Sequence, residues 1–229
     1  MTFAREPLQV VEIVEPRCSR TFGVSPCEAT GSSCFNTDAT CRFITALDLT
    51  DSYTTRFVAP AANRVLPSGF QPGTAIPALM DVQTSPTVLN VGSGNDDIQP
   101  LGLRAVAEVT IKDFPFNDVG YDPYLSTRSY DPVTRGSFWS KWLARNPYHV
   151  GYVLRVYDGY FGDDLSAMIK REYVIEKIDA ARSEVRITAK DILRKVTDTN
   201  VTAPALSPGA LSLSLTNVAT SFQVAGAVL

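Results

Sequence analysis

The chain has 229 residues, 45% of them apolar and 20% charged, with a formal net charge of −3. This is room for a sizeable core in one large domain or two small ones, and the interspersed charges leave no basic footprint for nucleic acid or for a membrane surface. No run of about eighteen apolar residues predicts a transmembrane helix. Residues 1–16 lack the charged start, apolar block and cleavage site of a signal peptide, so synthesis and folding in a cytosol are expected.

The 14 glycines and 15 prolines are spread along the whole chain and cut it into short elements, the style of a mainly β protein. Residues 8–14 are apolar and β-branched around Glu12 and predict the first strand. In 105–112, Ala105, Ala107, Val109 and Ile111 alternate with partners that include Glu108 and Lys112, the period of two of a half-buried strand. Phe138, Trp139, Trp142 and Leu143 share one face of a helix. Gly136 precedes it and Asn146-Pro147 ends it, because a residue before proline avoids the helical region. The helix is therefore expected near 136–146, clamped over a sheet, with the tryptophans as core. Residues 152–157, 172–178 and 184–189 predict three more strands, the last two joined as a hairpin. A short second helix is expected over 191–196. From Thr202 the composition shifts to Ala, Pro, Ser, Leu and Thr. There a linker is expected to lead into a further β module, with Leu211, Leu213 and Leu215 in one strand and Phe222 and Val224 starting its partner. The gene product is expected to continue beyond Leu229. The predicted divisions are 1–62 (first strand and cysteine arm), 63–201 (β-rich core with its helix) and 202–229 (linker and start of the next module).

All four cysteines, Cys18, Cys27, Cys34 and Cys41, fall within one segment rich in Gly, Ser, Thr and Pro. With few large apolar side chains there, cross-links between sulfurs, direct or through a metal, are expected to hold it. Two disulfides fit the even count but not a reducing cytosol. A four-cysteine zinc site fits the donors but lacks the usual C-x2-4-C knuckle. An iron–sulfur cluster takes four thiolates from more widely separated points. Spacing alone does not rank these three. Arg17, Arg20 and Arg42 flank the cysteines, either to offset thiolate charge or as solvated surface groups.

Little else carries chemistry. The single histidine, His149, lies in the turn after the helix and reads as structural. No G-x-S-x-G elbow, H-E-x-x-H or P-loop is present. Gly92-Ser93-Gly94 reads as a loop. Asp163-Asp164, Asp96-Asp97 and Asp48 with Asp51 read as turn residues capping their own backbone. The aromatic-rich stretch 121–130 is expected at a surface that meets other subunits.

The run CSRTFGVSPCEATGSSCFNTDATC (18–41) resembles the cysteine-rich start of tail proteins from siphoviruses and prophages. So, in order, do Leu101-Gly102-Leu103-Arg104-Ala105, Asp122-Pro123-Tyr124, Tyr130-Asp131-Pro132, Arg135-Gly136-Ser137-Phe138-Trp139, Leu143-Ala144-Arg145-Asn146-Pro147-Tyr148, residues 173–178 and residues 188–193. In its order of elements the chain is similar to the lambda tail-tip protein and to gene-transfer-agent hub proteins. Those carry four cysteines associated with an iron–sulfur cluster, mostly after the hairpin, whereas here all four precede the core. The carry-over is therefore limited to four thiolates gathered in one place. The resemblance implies a mainly β hub domain of barrel or sandwich type, with one clamping helix and an N-terminal cysteine-rich arm. It implies a 4Fe-4S cluster on Cys18, Cys27, Cys34 and Cys41, with zinc as runner-up. It implies a structural, non-enzymatic baseplate hub in the virion, at the tail tip, assembled in the host cytoplasm. As a homotrimeric ring, that hub links the distal tail or tube protein, the tape-measure protein and a distal fibre protein during host entry. The alternative is a metal-stabilised receptor-binding or cell-wall-processing enzyme module at the tip.

Overall fold

The structure is a computed structural model that describes residues 5–30, 34, 36–41, 43–60, 75–86, 105–181 and 183–191, with the backbone of 210–211 and 224–225. The chain divides into two compact units, 1–194 and 195–229. In the second, β9 (Ala210–Leu211) pairs antiparallel with β10 (Val224–Ala225), Leu211 opposite Val224. The helix expected over 191–196 lies outside the described residues beyond Asp191, which ends a strand.

The first unit is built on one eight-stranded sheet. Its strands are β1 (Pro7–Arg17), β2 (Asp51–Val58), β3 (Ala75–Ile76), β4 (Leu79–Ser85), β5 (Val106–Lys112), β6 (Val153–Tyr160), β7 (Ile169–Ala180) and β8 (Glu184–Asp191). Their spatial order is β3-β2-β1-β6-β7-β8-β5-β4. All neighbours are antiparallel except the two-residue parallel ladder of β2 with β3. β1 lies between β2 and β6 and is apolar on both faces: Val11 and Ile13 enter the main core, while Leu8 and Val10 enter a smaller one with Val58, Tyr157 and Met168. A nearly continuous apolar run is what a strand covered on both sides requires. The N-terminal strand, grouped by sequence with the cysteine arm, is thus an interior strand of the core sheet.

The mainly β architecture with one clamping helix is as expected. The barrel or two-sheet sandwich is not: the described ladders of the first unit form a single sheet that does not close. β3 and β4, separated only by Pro77 and Ala78, are its two opposite edges. Beyond that turn β4 faces the ends of β1 and β6 across a groove lined by Leu8, Met80, Asp158 and Tyr160, with no ladder between them.

The inner face alternates as the sequence predicts. Ala107, Val109 and Ile111 of β5, Leu154 and Val156 of β6, and Val185, Ile187 and Ala189 of β8 are buried together. In β7 the register shifts between Ile175 and Lys177, which lets Tyr173, Ile175 and Ile178 all reach the core. The strands β2, β3 and β4 are not among those the sequence predicts. Tyr53, Thr55 and Phe57 carry an alternation in β2 that its polar start conceals. β4 is an edge strand, exposed along most of its length, and has no apolar period to read.

Helix α1 (Phe138–Arg145) covers the inner face. Ser137 caps its start by accepting the Ser140 N–H, and Asp113 Oδ1 accepts the Trp139 N–H at 3.2 Å. Trp139 stacks on Phe57 at 5.5 Å between centroids, Phe138 stacks on Phe114 at 5.4 Å, and Trp142 meets Trp139 edge-on. Lys141 Nζ fastens the long connection before the helix, donating to Phe116 O, Asp118 Oδ1 and Pro132 O. Truncating such a buried aromatic removes its transfer free energy and leaves a cavity. Trp139→Ala is expected to lower unfolding free energy by about 3–5 kcal/mol in urea denaturation. A loss under about 1 kcal/mol would mean that the helix does not clamp the sheet.

Candidate metal centre

Between β1 and β2 the chain leaves the sheet for residues 18–50, the cysteine arm. Among its described residues the regular structure is two single-turn 3-10 segments, Asp38–Thr40 and Ile44–Ala46. Cys18, Cys27, Cys34 and Cys41 all line one small cavity of about 30 Å³. Phe22, Phe43, Ala46 and Leu47 supply most of the apolar wall. All four are free thiols, each partly buried. Burial pushes the Cys34 thiol up, its contact with Asn36 lowers it, and the charges of Cys18, Cys41 and Cys27 raise it further. The four predicted residues are therefore brought together by an arm that encloses little else.

Backbone and amide groups already address the sulfurs. Asn36 N–H donates to Cys34 Sγ at 3.3 Å, and Asp48 N–H donates to Cys18 Sγ at 3.4 Å. The Cys34 thiol donates to Asn36 Oδ1 at 2.8 Å, and Cys18 N–H donates to Asn36 O at 2.9 Å. Asn36 can serve both cysteines because it sits at φ 62°, a conformation asparagine tolerates better than most residues. Asp48 is held in turn by Ser19 and Arg20.

Among the described residues, no group of three or more His, Cys, Asp or Glu side chains is arranged to hold a metal ion. A tetrahedral zinc site needs four sulfurs at about 2.3 Å from one point, hence about 3.8 Å from one another. The thiols surround a shared space without converging on one point in it. Four thiolates are also the usual donor set of an iron–sulfur cluster, which can take them from more widely separated points. N–H donors on ligand sulfurs are among the features that tune such clusters.

Besides the edge-on contact of Phe22 with Tyr124, the arm is pinned to the core by two hydrogen bonds that sequence reasoning missed. Thr37, itself buried, donates its hydroxyl to Arg145 O at the end of α1, 3.0 Å away. Arg128 Nη2 donates to Cys34 O at 2.7 Å, while its Nε and Nη2 grip the Asp122 carboxylate at 2.8 and 3.2 Å. Asn36 and Thr37 stand in the run Cys34-Phe35-Asn36-Thr37, where nothing in sequence names the partner of either side chain. Nothing in sequence linked Arg128 to a cysteine 94 residues earlier.

Other candidates fall elsewhere. Arg17 turns away from the thiols into the core: its guanidinium stacks over Tyr53 at 3.8 Å and donates to Tyr121 O. Arg20 does line the cavity, and Arg42 lies outside the described residues. Tyr121, expected at a surface, is 3% exposed and packs on Phe138, because the turn it opens is folded beneath the helix. His149 Nδ1 lies 3.0 Å from Asn146 O, its ring against Trp142. Asp163 pairs with Arg5 and accepts the Tyr160 N–H, Asp48 caps Thr50 N–H and Asp51 caps Ser52 N–H. Asp96-Asp97 and Gly92-Ser93-Gly94 lie outside the described residues. No helix among the described residues is long and apolar enough to cross a membrane.

Comparison with protein-family models, with curated proteins and with solved structures returns no significant match to this chain.

Next to the arm's anchor lies a buried acid. Glu15 is 1% exposed and accepts the Thr55 hydroxyl at 2.5 Å, with Tyr121 OH and Asn146 Nδ2 at 3.4 and 3.5 Å. The Trp142 indole N–H does not reach it in hydrogen-bond geometry, yet its polarity helps the charged form. Burial nevertheless dominates and raises the Glu15 carboxyl above the usual range, against Thr55, Trp142, Arg17 and Arg145. A carboxyl raised on folding favours the folded state fully only below its unfolded value, and that contribution is lost as pH rises through the folded value. Stability of Glu15→Gln relative to the parent is therefore expected to increase with pH above about 4.5. Denaturation of both proteins between acid and neutral pH measures it, and a constant difference would refute the assignment.

Proposed function

We propose that this chain is a structural hub subunit of a bacteriophage-type tail tip, and that Cys18, Cys27, Cys34 and Cys41 hold an iron–sulfur cluster, 4Fe-4S in type, that pins its N-terminal arm. The observation that carries the cofactor is the lining of one cavity by all four sulfurs of a segment with almost no other core. The hub reading is supported by the ordered run of motifs that resemble tail proteins and by the mainly β sheet with its single clamping helix.

The physical role is cross-linking. Ordering a loop costs on the order of 1 kcal/mol per residue or more, and in sequence Phe22, Val24 and Phe35 are the main large apolar residues between Arg17 and Arg42. Val24 is itself exposed. Binding free energy to a site absent from the unfolded chain becomes folding free energy, so four thiolate bonds supply what burial does not. The role is structural rather than catalytic, since the nearest titratable and polar groups are committed to turns, caps and ion pairs. The hub would assemble as a homotrimeric ring between the tube and tape-measure proteins and a distal fibre protein. The exposed Met80, Tyr160 and Ile169 beside the β4 groove suit a subunit with neighbours.

Protein purified without oxygen is expected to be coloured and to carry about four iron and about four acid-labile sulfide per chain. Any single Cys→Ser change is expected to lower both while leaving the far-ultraviolet circular dichroism of the sheet intact. Stoichiometric zinc, or two disulfides, would refute the cluster and leave the hub reading standing. A virion reconstruction is expected to place three copies at the distal end of the tail tube. A single copy, or a location away from the tail end, would refute the hub.

A further inference from the structure

We infer that Arg128 is a positioning residue for Cys34, through which the buried Asp122 fixes one ligand of the cluster, an inference that rests on the reading of the arm as a cluster site. The Arg128 and Asp122 side chains are 2% and 1% exposed, so their ion pair is sealed from water. The guanidinium uses two nitrogens on the carboxylate and still directs Nη2 at Cys34 O, 2.7 Å away. Only three residues further on, Thr37 is tied to Arg145 O, and the Arg145 guanidinium lies 3.8 Å from the same Asp122 carboxylate. The segment from Cys34 to Thr37 is thus fastened at both ends to groups that share one buried anchor. Asn36, between the fastenings, contacts Cys34 Sγ and receives Cys18 N–H.

A bracing role for the turn at 121–128 alone would require only that Asp122 be neutralised, which any cation does. Directing Cys34 requires a planar fork that serves a carboxylate and a carbonyl at once, which arginine supplies and lysine does not. Arg128→Lys therefore separates the two roles, since it keeps a positive charge beside Asp122. Arg128→Met tests the same contact more harshly but leaves a buried carboxylate short of a partner and risks misfolding.

The test uses the full chain purified without oxygen, as parent and Arg128→Lys. Iron release to a strong chelator is timed by absorbance. The metal-free proteins are then treated with iodoacetamide, and alkylation of each cysteine is followed by peptide mass spectrometry. Arg128→Lys is expected to release iron about 10-fold faster or more, the usual effect of losing a group that orients a ligand. It is also expected to raise alkylation of Cys34 selectively over Cys27, whose turn is closed by its own bond to Val24 O. Iron release and the Cys34-to-Cys27 ratio both within about twofold of the parent would overturn the inference. So would equal acceleration at all four cysteines, the sign of general loosening. Parent protein that binds no iron would refute the cluster reading itself, and the alkylation ratio would still decide whether Arg128 positions Cys34.

Discussion

The aromatic plug of α1 is the contact on which the rest of this structure depends. An open eight-stranded sheet with alternating apolar residues has one broad apolar face to bury, and among the described residues no second sheet lies against that face. Phe138, Trp139 and Trp142 fill that face, reaching Phe57 on one side and Phe114 on the other. An eight-residue helix has little stability of its own, so the sheet stabilises the helix as much as the helix covers the sheet. The end of α1 then carries the consequence outward: Arg145 O receives Thr37, and Asn146 reaches Glu15. The cysteine arm is docked where the helix stops.

Beneath that junction the core is polar. Glu15 is bound by Thr55 there, while Glu12, on the opposite face of β1, is bound by Arg56 and the Tyr157 hydroxyl. Arg17 and Arg145 place guanidiniums against the Tyr121 ring, and Asp122 gathers Arg128 and Arg145. Buried charges of this kind contribute little net stability once desolvation is counted. Their geometry is demanding, and that suits a joint that must hold one register. Apolar side chains would pack the same volume in several ways. A carboxylate gripped by a guanidinium fork accepts few arrangements.

The arm itself differs physically from the sheet it leaves. Within the sheet each residue is held by a backbone ladder and by a buried neighbour. In residues 18–50 the order comes from side chains that bond to backbone, such as Asp48 and Asn36, and from ties to the core at Phe22, Cys34 and Thr37. The sulfurs are the only chemically distinctive groups in that segment. They line a common cavity, a juxtaposition that their spacing of eight, six and six intervening residues does not convey.

Local chemistry was legible in the sequence wherever it was strong. The period of two in β5 and β8, the helical face of Phe138, Trp139 and Trp142, the stop at Asn146-Pro147 and the aspartate caps all act over a few residues, and each is written in those residues. The clustering of four cysteines also announced a site. Tertiary structure decided everything that depends on distant partners. It set β1 between β2 and β6, left the sheet open between β3 and β4, and turned Arg17 and Tyr121 inward. It also brought Arg128 to Cys34. A side chain's type limits which partners it accepts, but 94 residues of intervening chain carry no local signal of which one it meets. Only the packing of α1 on the sheet, which fixes where the turn at 121–128 lies, makes that choice.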